Sequence, residues 1–304
     1  MSAISSRNLP LANATRHGTL LGAWLASYAS ANTQASYRRD VIVFCTFLDE
    51  TGLDLLTATR AHIDVFARIR TAAGDADTTL ARRIAAISAL YKYALTVDAL
   101  EKNPAEFVRR PSIDQDQTTT TALSRREAMR LLETAETDSV RAYALVDLLL
   151  TTGVRVSEAL STRVSGLGAD RLVIRRKGGK KALVYLPEHT VAALRVLTGT
   201  TGTELARGTE PERVIFTTST GRPWARANVH TTLARLARTA GITKPISSHV
   251  LRHTHATLAL ELGVPLHHLQ DSLGHADPRT TRRYDHSRKR LANSSAHQVG
   301  ELFA

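Results

Sequence analysis

Cysteine is nearly absent from this sequence. Cys45 is the only one among 304 residues, which excludes a disulfide framework and a cysteine-rich zinc site and fits a reducing compartment. Long apolar runs are missing too, and nothing approaches the ~18 residues of a membrane span. The stretch from Thr19 to Ala31 mimics an export signal in its small residues, but its apolar part is short and interrupted by Ser27 and Tyr28. Leu20, Leu21, Trp24, Leu25 and Tyr28 fall on one side of a helix, so the stretch reads as amphipathic. No G-x-x-x-x-G-K-[ST] loop occurs, and Lys177-Gly178-Gly179-Lys180 is too short to wrap a nucleotide's phosphates. H-E-x-x-H and G-x-S-x-G are also missing. His249 and His253 stand four apart on one predicted helix, a spacing that suits zinc, yet no carboxylate or thiol accompanies them at ligand spacing. The expectation is no metal and no other cofactor.

Acidic residues are in deficit: 28 Asp and Glu against 40 Lys and Arg, a net charge of +12. The imbalance is one-sided. Residues 1–122 carry 13 basic and 12 acidic groups, whereas residues 123–304 carry 27 and 16. A basic half of that size points to a polyanionic partner, of which nucleic acid is the simplest. The length suggests two domains at ~150 residues each.

The front part reads as all helix. Thr33 is placed to cap a helix through Asp49, with Tyr37, Val41, Phe44 and Leu48 as its apolar stripe and Gly52 as its stop. Further helices are expected over 61–71 and 78–97, the latter turning Leu80, Ile84, Ile87, Leu90, Tyr91 and Ala94 inward, and Asn103-Pro104 opens a last short turn. Arg109 to Thr121 has no periodicity and four consecutive threonines, the mark of a linker. Ser124 and Glu127 then form a capping-box pattern. Helices are expected over 125–136 and 139–151. Strands over 172–176 and 182–186 flank Gly178-Gly179, a two-residue hairpin signal, and Arg213 to Thr217 can add a third strand. The Gly/Thr-rich stretch 198–212 is assigned no structure. Helices return over 226–240, 249–262, 265–273 and 278–286, with Gly241, Gly263 and Gly274 as stops. The fold class is thus mainly α: a helical domain over 15–108, a linker over 109–122, and a mostly helical domain with a small antiparallel β-sheet over 123–304.

Several polar residues sit in frames of their own. Arg155 follows Thr152-Gly153 at the end of an apolar helix, with Glu158 one turn on and able to hold its guanidinium. Lys177 stands at the lip of the hairpin. His249 and Arg252 share one face near a helix N-terminus capped by Ser247 or Ser248, which suits a phosphate. His275 follows Gly274, and Tyr284 lies between Arg282-Arg283 and Asp285-His286.

In this order the stretches Thr152-Gly153-Val154-Arg155-Val156-Ser157-Glu158, Lys177-Gly178-Gly179-Lys180, His249-Val250-Leu251-Arg252-His253, Leu273-Gly274-His275 and Thr280-Thr281-Arg282-Arg283-Tyr284 resemble the tyrosine recombinase family, the lambda-type integrases. The family pattern is Arg, a hairpin Lys, H-x-x-R, His or Trp, and Tyr. Asn32-Thr33 through Tyr37-Arg38-Arg39-Asp40 also resembles the family's core-binding domain. The resemblance spans roughly residues 17 to 290.

The resemblance implies a site-specific recombinase or integrase that cuts and rejoins DNA through a 3′-phosphotyrosine, without metal or ATP. Tyr284 becomes the nucleophile, with Tyr185 and Tyr143 the next tyrosines to consider. Arg155 and Arg252 bind the scissile phosphate, Lys177 protonates the leaving 5′-hydroxyl, His249 accepts the phenol proton, His275 donates to a phosphate oxygen, and Glu158 orients its neighbours. Arg38, Arg39, Arg82 and Arg83 in front, and Arg175, Arg176, Lys180 and Lys181 beside the hairpin, are expected DNA contacts. The implied partners are double-stranded recombination sites, further copies of the chain as a tetramer on DNA, and a second recombinase or directionality factor. The implied location is cytoplasmic, at the nucleoid, with no membrane. The run Asp277 to Asp285 leans toward a mobile-element integrase. Xer-type chromosome dimer resolution, a type IB topoisomerase and an inactive DNA-binding relative are the alternatives. The tail 287–304, with Val299, Leu302 and Phe303 on one helical face, is expected to dock on a neighbouring subunit.

Overall fold

A computed structural model describes residues 12–111, 121–176, 178–199 and 210–274. The chain divides into two compact units, Met1–Asp114 and Gln115–Ala304. Among the described residues, none of the helices is long and apolar enough to cross a membrane.

The first unit contains α1 (Ala12–Arg16), α2 (Gly18–Ala26), α3 (Ala31–Glu50), α4 (Arg60–Ala72) and α5 (Asp77–Thr96). The cap of α3 is Ser30 and not Thr33: the Ser30 hydroxyl accepts from the Thr33 N–H at 3.4 Å. Thr33 is therefore the donor of this cap, and α3 starts three residues earlier than a Thr33 cap would place it. The stripe itself is inward, with Val41, Phe44 and Leu48 buried. Tyr37 lies stacked on Trp24 at 5.5 Å. All six predicted inward residues of α5 are buried. Phe44, Phe66 and Tyr91 meet edge-on at its centre, each large apolar side chain contributing about 1.5–3 kcal/mol on burial. The Tyr91 hydroxyl is satisfied by the Leu55 carbonyl at 2.8 Å. Cys45 is buried, and that burial pushes its thiol up to about 12. Asn103 heads the expected short turn, its side chain accepting from the Ala105 N–H at 2.8 Å.

The second unit runs α6 (Arg125–Asp138), α7 (Val140–Thr152), α8 (Val156–Leu160), β1 (Arg171–Arg175), β2 (Lys181–Tyr185), α9 (Glu188–Thr198), α10 (Arg226–Thr239), α11 (Ser248–Glu261) and α12 (Leu266–Leu273). The Ser124/Glu127 capping box is formed, with the Ser124 N–H on Glu127 Oε2 at 2.7 Å and the Glu127 N–H on Ser124 Oγ at 3.3 Å. Helix α7 lies at the centre of a core that buries Leu145, Leu148 and Leu149. Strands β1 and β2 pair antiparallel, with Arg175 opposite Lys181, each beginning one residue earlier than expected.

Three features depart from expectation. The hairpin turn holds three residues rather than two: Arg176 N–H bonds Lys180 O and Gly179 N–H bonds Arg176 O. Among the described residues, Arg213–Thr217 forms only single bridges, Arg163 to Val214 and Thr217 to Pro223. Its Ile215 and Phe216 are buried, so it is an extended core segment without a ladder. Helix α9 is an unforeseen element. It starts after Pro187 and stops at left-handed Gly199, burying Val191 and Leu194. Most of the linker (112–120), part of the Gly/Thr-rich stretch (200–209), the helix expected at 278–286 and the tail 287–304 lie outside the described residues.

Candidate active site

The site begins where α7 ends. Gly153 takes φ +63, a conformation that favours glycine, and it is tightly enclosed. A Cβ there would come within 2.6 Å of the His255 ring and 2.8 Å of Leu273. This turn releases Arg155 onto the start of α8, where its N–H donates to Glu158 Oε2 at 2.8 Å and its Nη1 to Oε1 at 2.9 Å. Glu158 is buried while the Arg155 side chain is 41% exposed. The carboxylate therefore anchors one edge of a guanidinium whose other edge faces outward.

Helix α11 supplies the next two groups. Ser247 caps it, accepting from the Val250 N–H at 3.3 Å, which settles the choice between Ser247 and Ser248. Arg252 is only 3% exposed. Its Nη1 donates to the Gly153 carbonyl at 2.6 Å and its Nη2 to the Leu273 carbonyl at 2.8 Å. One side chain thus joins the ends of α7 and α12 through two neutral main-chain acceptors. His249 lies one turn before Arg252 and keeps an exposed edge. Protein crowding around its ring, then the charges of Arg252 and Arg155, lower its pKa from the ordinary imidazole value. The neutral imidazole, a proton acceptor, is the favoured form.

The other histidines of α11 have structural partners. His253 is buried, with Nδ1 3.3 Å from the Thr257 hydroxyl. His255 Nδ1 lies 2.9 Å from the Leu150 carbonyl, and burial is the main cause lowering its pKa. Among the described residues, no three His, Cys, Asp or Glu side chains gather so as to hold a metal ion. Lys177, His275 and Tyr284 lie outside the described residues. Of the fallback tyrosines, Tyr185 is 72% exposed on β2, and burial, then Asp147 and Glu136, raise the Tyr143 pKa.

The expected DNA contacts differ in their engagements. Arg38 and Arg39 are exposed on α3. Arg82, on α5, pairs with buried Asp40 and donates to Ser36 Oγ at 3.2 Å. Arg83 bonds Asp75 at 2.6 Å and lies 3.9 Å from Asp40. Arg175, Lys180 and Lys181 are exposed around the hairpin neck. Arg176 turns back to α12, its Nη2 donating to the Ser272 carbonyl at 3.0 Å. Sequence reasoning missed His255 as the wall behind Gly153 and Arg176 as a partner of α12. No local pattern signals either contact.

The Phage integrase family pattern matches residues 121–290, and that of the phage integrase N-terminal SAM-like domain matches 23–97. Among similar proteins, the tyrosine recombinase XerD of Mycobacterium tuberculosis is 31% identical over 272 residues, covering 84% of this chain and 87% of its own. XerD of Corynebacterium glutamicum is 30% identical over 282 residues, covering 86% and 91%. The fold is shared with lambda integrase in a tetramer bound to a Holliday junction, at TM-score 0.71 and 16% identity over 95% of this chain and 81% of that one. It is shared also with XerH recombinase bound to its difH substrate, at TM-score 0.68 and 21% identity over 89% and 81%. With a family match over more than half its length and XerD relatives along most of it, the chain belongs to the phage integrase family of tyrosine recombinases.

Proposed function

We propose that this chain is a DNA strand transferase that performs site-specific recombination through a covalent phosphotyrosine. The observation carrying this reading is the convergence of Arg155, Arg252 and His249: two guanidiniums whose charges both reach one imidazole and favour its neutral form. A phosphodiester gains negative charge on its non-bridging oxygens as it becomes pentacoordinate, so fixed cations stabilise the transition state more than the ground state. In this reading the Tyr284 oxygen attacks phosphorus while its proton passes to His249. The P–O5′ bond breaks as Lys177 gives a proton to the departing oxygen, and His275 donates to a non-bridging oxygen. The phosphotyrosine conserves the bond, so another strand's 5′-hydroxyl can reverse the step without ATP. The cations supply the charge that a metal would.

The organisation follows the same reading: a core-binding domain over 15–108, a linker over 109–122 and a catalytic domain over 123–304. Its DNA is double-stranded, its working assembly a tetramer on two sites, its location the cytoplasm at the nucleoid. A second recombinase or directionality factor completes the partner set. The run Asp277 to Asp285 supports integration or excision of a mobile element. The XerD relatives at 30–31% identity favour a second reading, chromosome dimer resolution. Mapping trapped covalent complexes on DNA in cells separates the two, since one clusters at element ends and the other at a single chromosomal site.

The chemistry is tested with a suicide duplex carrying the mapped site. Tyr284→Phe should bind it normally and form no covalent adduct, and wild-type cleavage should persist in EDTA and without nucleotide. An adduct surviving in the variant, or cleavage abolished by EDTA with binding intact, overturns the mechanism.

A further inference from the structure

Arg176 leaves β1 at the neck of the hairpin, and its main chain is fixed there. Its N–H donates to the Lys180 carbonyl at 2.8 Å, and its carbonyl accepts from the Gly179 N–H at 3.0 Å. The side chain turns away from the hairpin toward α12. Nη2 donates to the Ser272 carbonyl at 3.0 Å, and both terminal nitrogens lie 3.4 Å from the Asp271 carbonyl. The Asp271 carbonyl also accepts from the Gly274 N–H at 3.0 Å, and a cation at this last turn meets the negative end of the helix dipole. Arg176 Nε is buried without a hydrogen bond, so the carbonyls of α12 hold the group. Gly274 makes the space. Its φ is +63, and a Cβ there would overlap the Arg176 guanidinium.

The next carbonyl along, that of Leu273, is the one Arg252 uses. Three successive carbonyls, 271 to 273, are therefore shared by two arginines from different parts of the unit. Arg176 directly precedes Lys177 and Gly274 directly precedes His275, and consecutive Cα atoms are about 3.8 Å apart. The clamp therefore tethers the attachment points of both side chains to the turn that anchors Arg252.

We propose that Arg176 is a positioning residue for cleavage: by gripping the C-terminal turn of α12 it keeps the Lys177 hairpin in step with His275 and Arg252. This rests on the reading of Lys177 as the proton donor to the leaving 5′-oxygen. It also separates Arg176 from Arg175, Lys180 and Lys181, which remain exposed at the neck.

The test uses the full-length protein in single-turnover cleavage at saturating DNA. It compares an ordinary phosphodiester with a 5′-bridging phosphorothiolate, whose sulfur leaves without needing a proton. Arg176→Ala should cleave the ordinary substrate about ten- to a hundredfold more slowly, the scale of a displaced catalytic group, with unchanged affinity. Gly274→Ala, which displaces the guanidinium while leaving Arg176 in the sequence, should lose a similar factor. Arg176→Lys, which keeps the charge but not the fork, should fall between. Most of each loss should vanish on the phosphorothiolate, as it should for Lys177→Ala. Wild-type rates in Arg176→Ala, a loss of affinity alone, or a rate loss undiminished on the phosphorothiolate overturns the clamp. Rescue of Lys177→Ala without rescue of Arg176→Ala rejects only this inference, whereas failure to rescue Lys177→Ala rejects the proton-donor reading beneath it.

Discussion

Each unit buries a carboxylate beneath arginines, and the two clusters differ in what else those arginines and their neighbours hold. In the first unit Asp40 is 2% exposed and meets Arg82, with Arg83 nearby. Asp75 takes a bond from Arg83 and another from Arg70. The cations there are absorbed by acids of their own unit. In the second unit Glu158 holds one edge of Arg155, and Arg252 is bonded to two main-chain carbonyls. A main-chain carbonyl fixes a guanidinium without bringing a countercharge of its own, whereas a carboxylate brings one. A count of arginines therefore says little about where a phosphate binds. What the guanidiniums are bonded to says more.

The sharpest way to break this comparison is to remove one arginine from each cluster. Arg252→Ala should lower cleavage by about a hundred- to a thousandfold, the range for a lost transition-state donor, while Arg82→Ala should leave cleavage at saturating DNA unchanged. Arg82→Ala should instead destabilise the first unit by about 1–3 kcal/mol, because Asp40 stays buried with a weaker set of partners. The readout is a suicide-substrate rate beside urea unfolding followed by fluorescence. The sequence has two tryptophans, Trp24 in the first unit and Trp224 in the second, so single Trp→Phe variants report each unit alone. Equal rate losses from both substitutions would erase the distinction.

Acid should sharpen it further. Burial raises the Asp40 pKa despite Arg82 and its neighbours. The folded state then holds this proton more tightly than the unfolded state, so Asp40's contribution is greatest at low pH and declines as pH rises through the raised pKa. Glu127 is the reverse case. Lys244, then the Ser124 N–H, lower it to about 2, so its stabilisation is present above the unfolded value and is lost as pH falls toward 2. Glu127→Gln should flatten the acid limb of the Trp224-reported transition, and Asp40→Asn should remove a stability decline from the Trp24-reported one. The measurement is unfolding free energy between about pH 3 and 7. The same slope in variant and wild type at either site removes that group from the account.

Much of the fold was legible because helices announce themselves locally. The stripes of α3 and α5 and the Ser124/Glu127 box need only a few residues' context. Helix α9 escaped although Pro187 and Gly199 bracket it, since its apolar residues follow directly on the strand pattern of β2. The third strand was misread because Ile215 and Phe216 alternate with nothing exposed, so burial looked like pairing. At the site, local frames picked out Arg155, Glu158, His249 and Arg252. The anchor of Arg155 was legible too, as Glu158, but the distant anchors were not, since Arg252 meets Gly153 across 99 residues and Arg176 meets Ser272 across 96. No periodicity encodes a side chain reaching a distant main-chain carbonyl. The same limit hid the difference between Arg38-Arg39 and Arg82-Arg83, which look alike as dipeptides.

That last pair offers the finest test, since both dipeptides belong to the first unit and differ mainly in their engagements. Arg38 and Arg39 are exposed on α3, whereas Arg82 and Arg83 are spent on Asp40 and Asp75. A lysine or arginine that contacts a phosphate releases condensed counterions, and its removal lowers the slope of log K against log salt by about one. Arg38→Ala and Arg39→Ala should each weaken binding of a single recombination site and lower that slope by about that amount. Arg82→Ala should leave the slope unchanged, because its charge is already neutralised within the unit. Arg82→Ala also releases Asp40, so a small loss of affinity without a change in slope belongs to stability and not to phosphate contact. Gel-shift titrations between 50 and 200 mM salt, about the range over which such slopes are resolved, distinguish these outcomes. A slope change for Arg82→Ala equal to that for Arg39→Ala would mean the Asp40 pair opens on DNA, and the contrast between spent and available arginines would then fail within this unit.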